Sequence, residues 1–293
     1  METVEQYYSR IRAANRRLME KRRAEAFALC PGLEALEKEK GRLFTAHDGA
    51  GLTALIKKQQ RLLEEAGLAP DALELPCTCA LCRDTGYTGE AVKQKCACRL
   101  KREQLAYRAE ARVNDAETFE RFRADIYPTA EQRARGEKIK AVCLSYADSL
   151  PAPEKPQLVL RGMTGLGKSF FGNAIAARAA ERGIEARRVT AYGFIHEFTE
   201  SFSTGADPVG VYARVPLLVL DDLGTEPLIP NVTEPALFSL IDRRLSDRLN
   251  TVFITNLSPE ELESRFNERI SSRILNKDKT LIILFKGDSL RGR

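Results

Sequence analysis

The segment that most limits how this chain can fold is a glycine-rich turn between a strand-like stretch and a helix-like stretch. It reads "QLVLRGMTGLGKSFFGNAIAARAA", residues 157–180. Gly162, Gly167, Lys168 and Ser169 fit the G-x-x-x-x-G-K-[ST] pattern of a phosphate-binding loop. The glycines let backbone N–H groups approach phosphates, and the following helix directs its positive dipole end at them. The segment therefore predicts nucleotide binding.

Within this loop, two side chains have distinct expected tasks. Lys168 is expected to neutralise charge on the β- and γ-phosphates, and the Ser169 hydroxyl is expected to bind Mg2+. The whole predicted nucleotide-contact set consists of Gly162, Met163, Thr164, Gly165, Leu166, Gly167, Lys168 and Ser169.

A strand-like segment that ends in two acids follows downstream. In "PLLVLDDLGTE", residues 216–226, a buried strand would end at Asp221 and place that carboxylate beside the magnesium ion. Asp222 comes next, where it would orient or deprotonate an attacking water. The alternative is that both acids are merely solvated at a strand end. The loop upstream favours the first interpretation.

Another strand-like segment, "TVFITNLS", ends in two polar residues. Thr255 and Asn256 are expected to reach the γ-phosphate or its attacking water if this strand joins the same sheet. Alone the pattern is weak, because strands often turn through asparagine.

The chain after Pro151 alternates between strand-like and helix-like stretches. This alternation predicts an α/β domain with a central parallel sheet. A small-molecule kinase would use the same loop, but no insertion that would serve as its lid or acceptor site is evident. The predicted strands are "QLVLR", "EARRVT", "PLLVLDD", "TVFITN" and "LIILF".

Two arginines stand four residues apart in "RFNERISSRIL". On a helix, Arg269 and Arg273 would share one face. One interpretation is a surface array of ion pairs with Glu268. The other is an arginine finger that acts in trans on the nucleotide of a neighbouring subunit. Residue chemistry alone leaves both open.

Five of the seven cysteines lie in "CTCALCRDTGYTGEAVKQKCAC", residues 77–98. Two close pairs joined by a short loop predict one tetrahedral Zn2+ site that is structural rather than catalytic. Cys77 is a surplus member that could compete as a ligand, and redox cysteines or an iron–sulfur cluster are the alternatives. Cys30 and Cys143 are expected to be ordinary semi-buried thiols. The predicted ligands are Cys79, Cys82, Cys96 and Cys98.

Composition agrees with a globular chain that has no membrane span. Hydrophobic residues make up 43% and charged residues 30%, and the longest apolar runs are strand-length. The N-terminus lacks the apolar stretch of a secretory signal, so we expect a cytosolic protein, where metal binding is favoured over disulfides. The net charge of +5 arises within residues 1–113 and is too mild to indicate nucleic-acid binding by itself.

The front of the chain is predicted to form a small helical bundle. Residues 1–29 have apolar side chains at helical spacing, and basic residues such as Arg12 and Arg23 are interpreted as a solvated face. Two further helices follow, the second of them ended by Gly67 and Pro70. A connecting helix is expected at residues 99–113.

Taken in order, the motifs resemble those of bacterial helicase loaders of the DnaC/DnaI type, which are AAA+ ATPases of the primosome. The resemblance covers nearly the whole chain and includes the variant with a zinc-binding module. It rests on "CALCRDTGY", "CACR", "FERF", "GMTGLGKSFF", "LLVLDDLGTE", "ITNLSPEEL", "ERISSRIL" and "DSLR".

The resemblance implies a P-loop AAA+ ATPase domain preceded by a small helical and zinc-knuckle domain. It implies ATP, Mg2+ and Zn2+ as cofactors, with ATP phosphates held by residues 162–169 and Asp221 serving Mg2+. AAA+ proteins at large carry glutamate after that aspartate, whereas this chain has Asp222. The shorter carboxylate suits slow hydrolysis, stimulated by assembly or by single-stranded DNA.

The resemblance also implies roles for four residues beyond the loop. Asn256 matches the sensor I position. Arg273 matches the arginine finger, with Arg269 as its helper or substitute. Arg291 matches sensor II, which reads the nucleotide of its own subunit.

The implied partners are a hexameric replicative DNA helicase, single-stranded DNA and further copies of the ATPase domain, with no membrane. The related transposition-helper ATPases of the IstB type are the main alternative. They lack the cysteine module, so residues 77–98 discriminate between the two. A zinc-dependent binding protein with a degenerate ATPase is disfavoured by the intact loop. The expected divisions are a helicase-binding region at 1–76, a zinc knuckle at 77–98, a linker at 99–128 and an AAA+ domain at 129–293.

Overall fold

The computed structural model of the protein describes residues 2–90, 92–287 and 289–290, and helices dominate its first hundred residues. The chain divides into two units, Met1–Lys101 and Arg102–Arg293. The helices predicted at the front of the chain and the connecting helix are confirmed. The elements here are α1 (Val4–Leu29), α2 (Pro31–Thr45), α3 (Gly49–Glu65), β1 (Tyr87–Thr88), β2 (Gln94–Lys95) and α4 (Ala97–Glu110), which contains the unit boundary.

Local start signals explain where these helices begin. Thr3 caps α1 in a reciprocal capping box with Gln6. Pro31 occupies the first turn of α2, where its missing N–H costs no hydrogen bond. The Asp48 side chain accepts a hydrogen bond from the Gly51 N–H at the start of α3.

The hydrophobic core of the first unit is small. Its main cluster of buried residues comprises Ala26, Leu33, Leu63 and Leu73. An apolar cluster this small contributes little to stability, so an additional cross-link would add substantially to it. Arg23 departs from the predicted solvated face, because it is anchored to Glu37 at 3.1 Å.

The second unit is built on a five-stranded sheet with the strand order β4-β5-β6-β3-β7, and every neighbouring pair is parallel. The predicted α/β class and all five predicted strands are confirmed. The elements are α5 (Ala130–Ser149), β3 (Gln157–Gly162), α6 (Lys168–Glu181), β4 (Ala186–Thr190), α7 (Ala191–Thr204), α8 (Pro208–Arg214), β5 (Leu217–Leu223), α9 (Thr233–Ser246), β6 (Asn250–Thr255), α10 (Pro259–Ile274) and β7 (Thr280–Phe285).

Both faces of this sheet are covered by helices, which is why β3, β5 and β6 each contain a run of buried apolar residues. The edge strand β4 differs, because it carries Arg187 and Arg188. On β3, Leu158 and Leu160 belong to the core that includes α5 and α6. Val159 faces the other way, into the core that includes α7 to α10. Cys30 is half-buried, as expected, whereas Cys143 is fully buried in the first of these cores rather than semi-buried. In the part of the chain that is described, no helix combines the length and apolarity needed to cross a bilayer.

Candidate functional site

The predicted nucleotide residues converge because their strands are parallel neighbours. The carboxyl ends of parallel strands meet at one edge of a sheet, which is where ligands of open α/β sheets bind. Thr255 of β6 pairs with Arg161 of β3 and with Leu223 of β5. The turn after β3, the two acids of β5 and Asn256 are therefore brought to the same edge.

The turn after β3 adopts a backbone that requires glycine. Gly162, Gly165 and Gly167 have φ angles of 146°, 82° and 87°. A Cβ atom at Gly162 would lie 2.3 Å from the Phe285 carbonyl oxygen, so no side chain fits there. Gly167 then takes the N-cap position of α6, and the free N–H groups of the first helical turn face the loop.

Lys168 is buried at the centre of the turn. Its Nζ donates hydrogen bonds to the carbonyl oxygens of Gly162 and Met163 at 2.6 and 2.7 Å. It also donates to Asn256 Oδ1 at 2.7 Å. The ammonium group therefore links the loop to the end of β6. The structure thus brings the predicted lysine and the predicted Asn256 together.

The first acid of β5 is enclosed by polar partners. The Ser169 hydroxyl donates to Asp221 Oδ1 at 3.1 Å, and the Asp222 N–H donates to the same oxygen at 2.9 Å. Arg188 Nη2 donates to Asp221 Oδ2 at 2.8 Å. Sequence analysis missed Arg188. It lies on β4 diagonally across from Asp221, a relation that depends on strand register, because Thr190 is the residue that pairs with Asp221.

The second acid is presented differently because the strand is irregular there. In a regular strand, Asp221 and Asp222 would point to opposite faces. Asp222 instead has a left-handed backbone with φ 53°, and the pairing of β5 with β6 shifts register between Leu220 and Leu223. Bulges of this kind redirect side chains near active sites. As a result, Asp222 lines the cavity beside the loop.

A cavity of about 430 Å³ opens beside the loop. Lys168, Ser169, Asp222 and Asn256 contribute polar atoms to it. Part of its lining is an apolar wall, to which the segment before α5 contributes side chains. This segment lies within the linker expected at 99–128, and it also brings the charged residues Glu117, Arg121 and Arg123 to the cavity. The clustering of aromatic residues in "FERFRADIYP" was the available signal. The apolar wall contains Phe122, Ile126, Tyr127, Phe170 and Leu290.

The two candidate finger arginines lie elsewhere in the second unit. Neither Arg269 nor Arg273 is among the described residues that line the cavity. Arg273 Nε donates to Asp242 Oδ1 of α9 at 2.7 Å, so the ion pair with Glu268 that one interpretation expected is replaced by one with Asp242. The helix is also not regular, since Asn267 interrupts it with φ 66°. Arg291 lies outside the described residues.

The four predicted metal-ligating cysteines of the first unit come together. Their Sγ atoms all lie within 4.8 Å of one another. The Cys79–Cys96 and Cys82–Cys98 sulfur distances are 3.8 and 3.4 Å. Tetrahedral zinc with Zn–S bonds of about 2.3 Å requires sulfur separations of about 3.8 Å, so the cluster fits this ion. Cys77 is exposed and outside the cluster.

Asp84 organises the loop that carries the first cysteine pair. Its buried carboxylate accepts hydrogen bonds from the backbone N–H groups of Thr78 and Cys79 at 2.7 and 2.8 Å. The carboxylate also accepts a hydrogen bond from Asn15 Nδ2 at 2.8 Å. In addition, Arg12 Nη1 donates a hydrogen bond to the backbone carbonyl oxygen of Asp84. Arg12 is therefore anchored rather than simply solvated, and α1 is tied to the cysteine loop.

The thiols of the cluster differ in acidity. The backbone N–H of Cys82 holds the pKa of Cys79 at about 7, which favours the ligating thiolate. Burial raises the pKa of Cys98 to about 12, so metal binding there must displace a proton. The Tyr8 hydroxyl of α1 lies 3.2 Å from Cys98 Sγ, and the two groups share a hydrogen bond. Outer contacts of this kind fix the orientation of metal ligands.

Comparison with known proteins identifies relatives that each match part of this chain. Residues 85–293 match the family model described as IstB-like ATP binding protein. The replicative helicase loader DnaI of Bacillus subtilis (strain 168) is 32% identical over 111 residues, which is 37% of this chain and 36% of that protein. The replicative helicase loader DnaC of Escherichia coli (strain K12) is 25% identical over 139 residues, 46% of this chain and 56% of that protein.

Among solved structures, the crystal structure of the DnaC helicase loader matches with a TM-score of 0.50 at 20% sequence identity. The match covers 59% of this chain and 98% of that one, and it confirms the fold expected of an AAA+ domain. The chain is thus homologous to the DnaI and DnaC loaders, but its matches span only 36% and 56% of those two proteins. The family model extends over most of the chain, including the loop and the cavity, and supports ATP binding. The chain therefore belongs to the family of IstB-like ATP binding proteins.

Proposed function

We propose that the chain is an ATP-dependent loader, which binds a hexameric replicative helicase and helps to place it on single-stranded DNA. The observation that carries this proposal is the close cluster of four cysteine side chains in the first unit of a chain whose second unit holds a phosphate-binding loop. Homology to the DnaI and DnaC loaders supports it. A transposition helper of the IstB type would use the same ATPase fold but would not need the cluster.

The loop and the cavity suit ATP. Residues 162–169 would wrap the phosphates with backbone N–H groups, and Lys168 would exchange a carbonyl acceptor for phosphate oxygens. The apolar wall that contains Phe122 and Tyr127 suits the base, because aromatic rings stack on purines while polar groups at the other end hold charge.

Hydrolysis would depend on groups at the edge of the sheet. Asp222, which the bulge turns toward the cavity, would orient or deprotonate the attacking water. Asn256, fixed against Lys168, would contact the γ-phosphate or that water. Ser169 and Asp221 are hard oxygen donors 3.1 Å apart and fit Mg2+, which would supply positive charge to the phosphate oxygens. Arg188 would keep Asp221 in place from its other side.

Two further roles involve arginines. Arg273, with Arg269 as helper or substitute, would stabilise charge on the ATP of a neighbouring subunit, so turnover would require self-association. Arg291 would read the nucleotide of its own subunit. The short Asp222 carboxylate suits slow turnover that assembly or single-stranded DNA stimulates.

The first unit would serve as the adaptor for the helicase. Cys79, Cys82, Cys96 and Cys98 would hold Zn2+, which would cross-link a segment whose own apolar core is small. We place helicase binding in residues 1–76 together with the knuckle at 77–98, joined by a linker at 99–128 to an ATPase domain at 129–293.

We expect a tagged full-length chain to co-purify with a replicative helicase, and residues 114–293 alone to lose it. The reason is that the thiolate cluster and its helices would supply the contact surface. Full-length Lys168→Ala is the matched control, because it impairs the ATP site and leaves the first unit intact. Helicase retained equally well by residues 114–293 would contradict the proposed division of labour and favour a helper that acts on another partner.

Lys168→Ala is expected to weaken ATP binding about 10- to 100-fold, because it removes a charged donor to phosphate. Titration calorimetry measures the affinity. Lys155→Ala is a suitable control, since its Nζ donates to the Lys277 carbonyl oxygen rather than to the loop. Zinc content should stay the same in both variants. An unchanged affinity in Lys168→Ala would overturn the assignment of the loop.

A further inference from the structure

One face of α9 contacts the segment that carries the two candidate finger arginines. Glu234, Phe238 and Asp242 are spaced four residues apart, so they form one stripe along this helix. Across from them, Arg269 and Arg273 have the same four-residue spacing on α10. These three α9 residues make up the Glu234–Phe238–Asp242 stripe.

Both arginines lie over a single aromatic ring. The guanidinium carbon of Arg269 is 4.4 Å from the centre of the Phe238 ring, and that of Arg273 is 4.5 Å from it. A guanidinium within about 6 Å of a ring centre is attracted by the electron-rich ring face. The ring therefore limits where two long and otherwise mobile side chains can point.

Two hydrogen bonds further restrict the orientation of the Arg273 guanidinium. Its Nε donates to Asp242 Oδ1 at 2.7 Å, and its Nη1 donates to the Arg269 carbonyl oxygen at 2.7 Å. Among the described residues, its Nη2 has no hydrogen-bond partner. The planar guanidinium is thus held along one edge while other N–H groups are left to meet an acceptor from outside.

Glu234, the remaining member of the stripe, holds the backbone that carries the two arginines through a contact with Asn267. Asn267 Nδ2 donates to Glu234 Oε2 at 2.9 Å, and Asn267 Oδ1 accepts from the Arg269 N–H at 3.0 Å. Asn267 is also where α10 is interrupted. The turn that starts the arginine-bearing half of α10 is therefore attached to α9 as well.

A purely structural role explains these contacts less well. The Arg273 and Asp242 side chains are 30% and 42% exposed, and pairs of that exposure contribute little to stability. The contacts of Arg273 with the Phe238 ring, the Asp242 carboxylate and the Arg269 carbonyl oxygen do, however, hold its guanidinium in a single orientation. That is what a group needs if it must meet developing charge without losing further side-chain freedom.

We propose that the Glu234–Phe238–Asp242 stripe pre-orients Arg273 for contact with the ATP of a neighbouring subunit, with Phe238 as the principal positioning residue. The inference rests on the proposed function, since it assumes that Arg273 acts on that ATP. Phe238 itself touches no substrate and acts through the arginine.

The test compares Phe238→Leu with Phe238→Tyr in the full-length chain. Phe238→Leu keeps most of the apolar volume but removes the ring, so kcat for ATP should fall about 10- to 100-fold, as misplaced catalytic groups typically cause. KM for ATP, self-association and the thermal midpoint should change little. Phe238→Tyr keeps the ring, and because Phe238 is only partly buried the added hydroxyl should be accommodated and kcat largely retained.

A double-mutant cycle with Arg273→Ala separates positioning from stability. If Phe238 acts through Arg273, Phe238→Leu should lower kcat no further once Arg273 is alanine. An equal additional loss in that background, or equal slowing by leucine and tyrosine, would overturn the inference. Asp242→Asn is a second variant and should show a smaller loss of kcat with the same lack of additivity.

The single variant Arg273→Ala distinguishes a failure of this inference from a failure of the proposed function. If Arg273→Ala alone leaves turnover unchanged, the finger assignment fails and the positioning inference fails with it. If Arg273→Ala abolishes turnover while Phe238→Leu matches the parent chain, only the positioning inference is overturned.

Discussion

Arg273→Ala is expected to bind ATP with near-normal affinity and to lose about 10^3-fold in turnover, most visibly when the chain is assembled on single-stranded DNA. The physical reason is that a guanidinium offered by a neighbouring subunit neutralises charge that develops only as the phosphoryl group is transferred. It contributes little to the ground state. Steady-state hydrolysis and titration calorimetry, performed on the same preparation, measure the two quantities.

Arg135→Ala is a matched control, because Arg135 is a surface arginine on α5 whose Nη2 pairs with Glu131 at 2.9 Å. Its turnover should equal that of the parent chain. A loss of ATP affinity as large as the loss of turnover would instead indicate that Arg273 contributes to binding or to folding. In that case, Arg269 would become the better finger candidate.

A mixing experiment decides whether the arginine acts in trans. Arg273→Ala chains retain an intact phosphate-binding loop, whereas Lys168→Ala chains retain an intact arginine. Neither should hydrolyse ATP well alone. If the arginine serves the neighbouring subunit, mixed assemblies should regain activity at interfaces that join one intact loop to one intact arginine. Absence of recovery, with co-assembly demonstrated, would show that Arg273 acts within its own subunit or only structurally.

Removing the metal is expected to have the largest effect on stability. Cys79→Ser combined with Cys96→Ser should abolish binding of one zinc per chain and unfold residues 77–98. A structural zinc site supplies on the order of 10 kcal/mol in small modules, and the apolar cluster of this unit is small. Elemental analysis measures the zinc, and limited proteolysis reports the loss of structure.

Cys77→Ser is the control that the chain itself provides. Cys77 is an exposed cysteine two residues before the first ligand, and the structure leaves it outside the cluster. Its zinc content and protease resistance should match those of the parent chain. ATP binding should persist in the double variant, because the nucleotide cavity lies in the other unit. Zinc retained at full occupancy by the double variant would refute the assigned ligand set.

Features that depend on neighbours along the chain could be predicted from the sequence. The phosphate-binding loop and the strand before it occupy a few consecutive residues, and their glycines are required by a backbone that side chains would block at Gly162. Asp221 and Asn256 were expected at the same edge as the loop if their strands joined one parallel sheet, and the pairing of β6 with β3 and β5 meets that condition. The paired spacing of the cysteines likewise predicted the cluster before any distance was known.

Contacts between residues that lie far apart in the sequence could not be predicted, because they depend on how the strands and helices pack together. Arg188 reaches Asp221 because β4 and β5 pair in one register, and a different register would have turned its side chain away. Phe238 contacts Arg269 and Arg273 because α9 packs against α10, which no local pattern specifies. Which of Cys77 and Cys79 joins the metal-ligand cluster also depends on Asp84, whose carboxylate accepts a hydrogen bond from the Cys79 backbone N–H. Sequence periodicity reports which face of an element is buried, whereas these contacts depend on which faces meet.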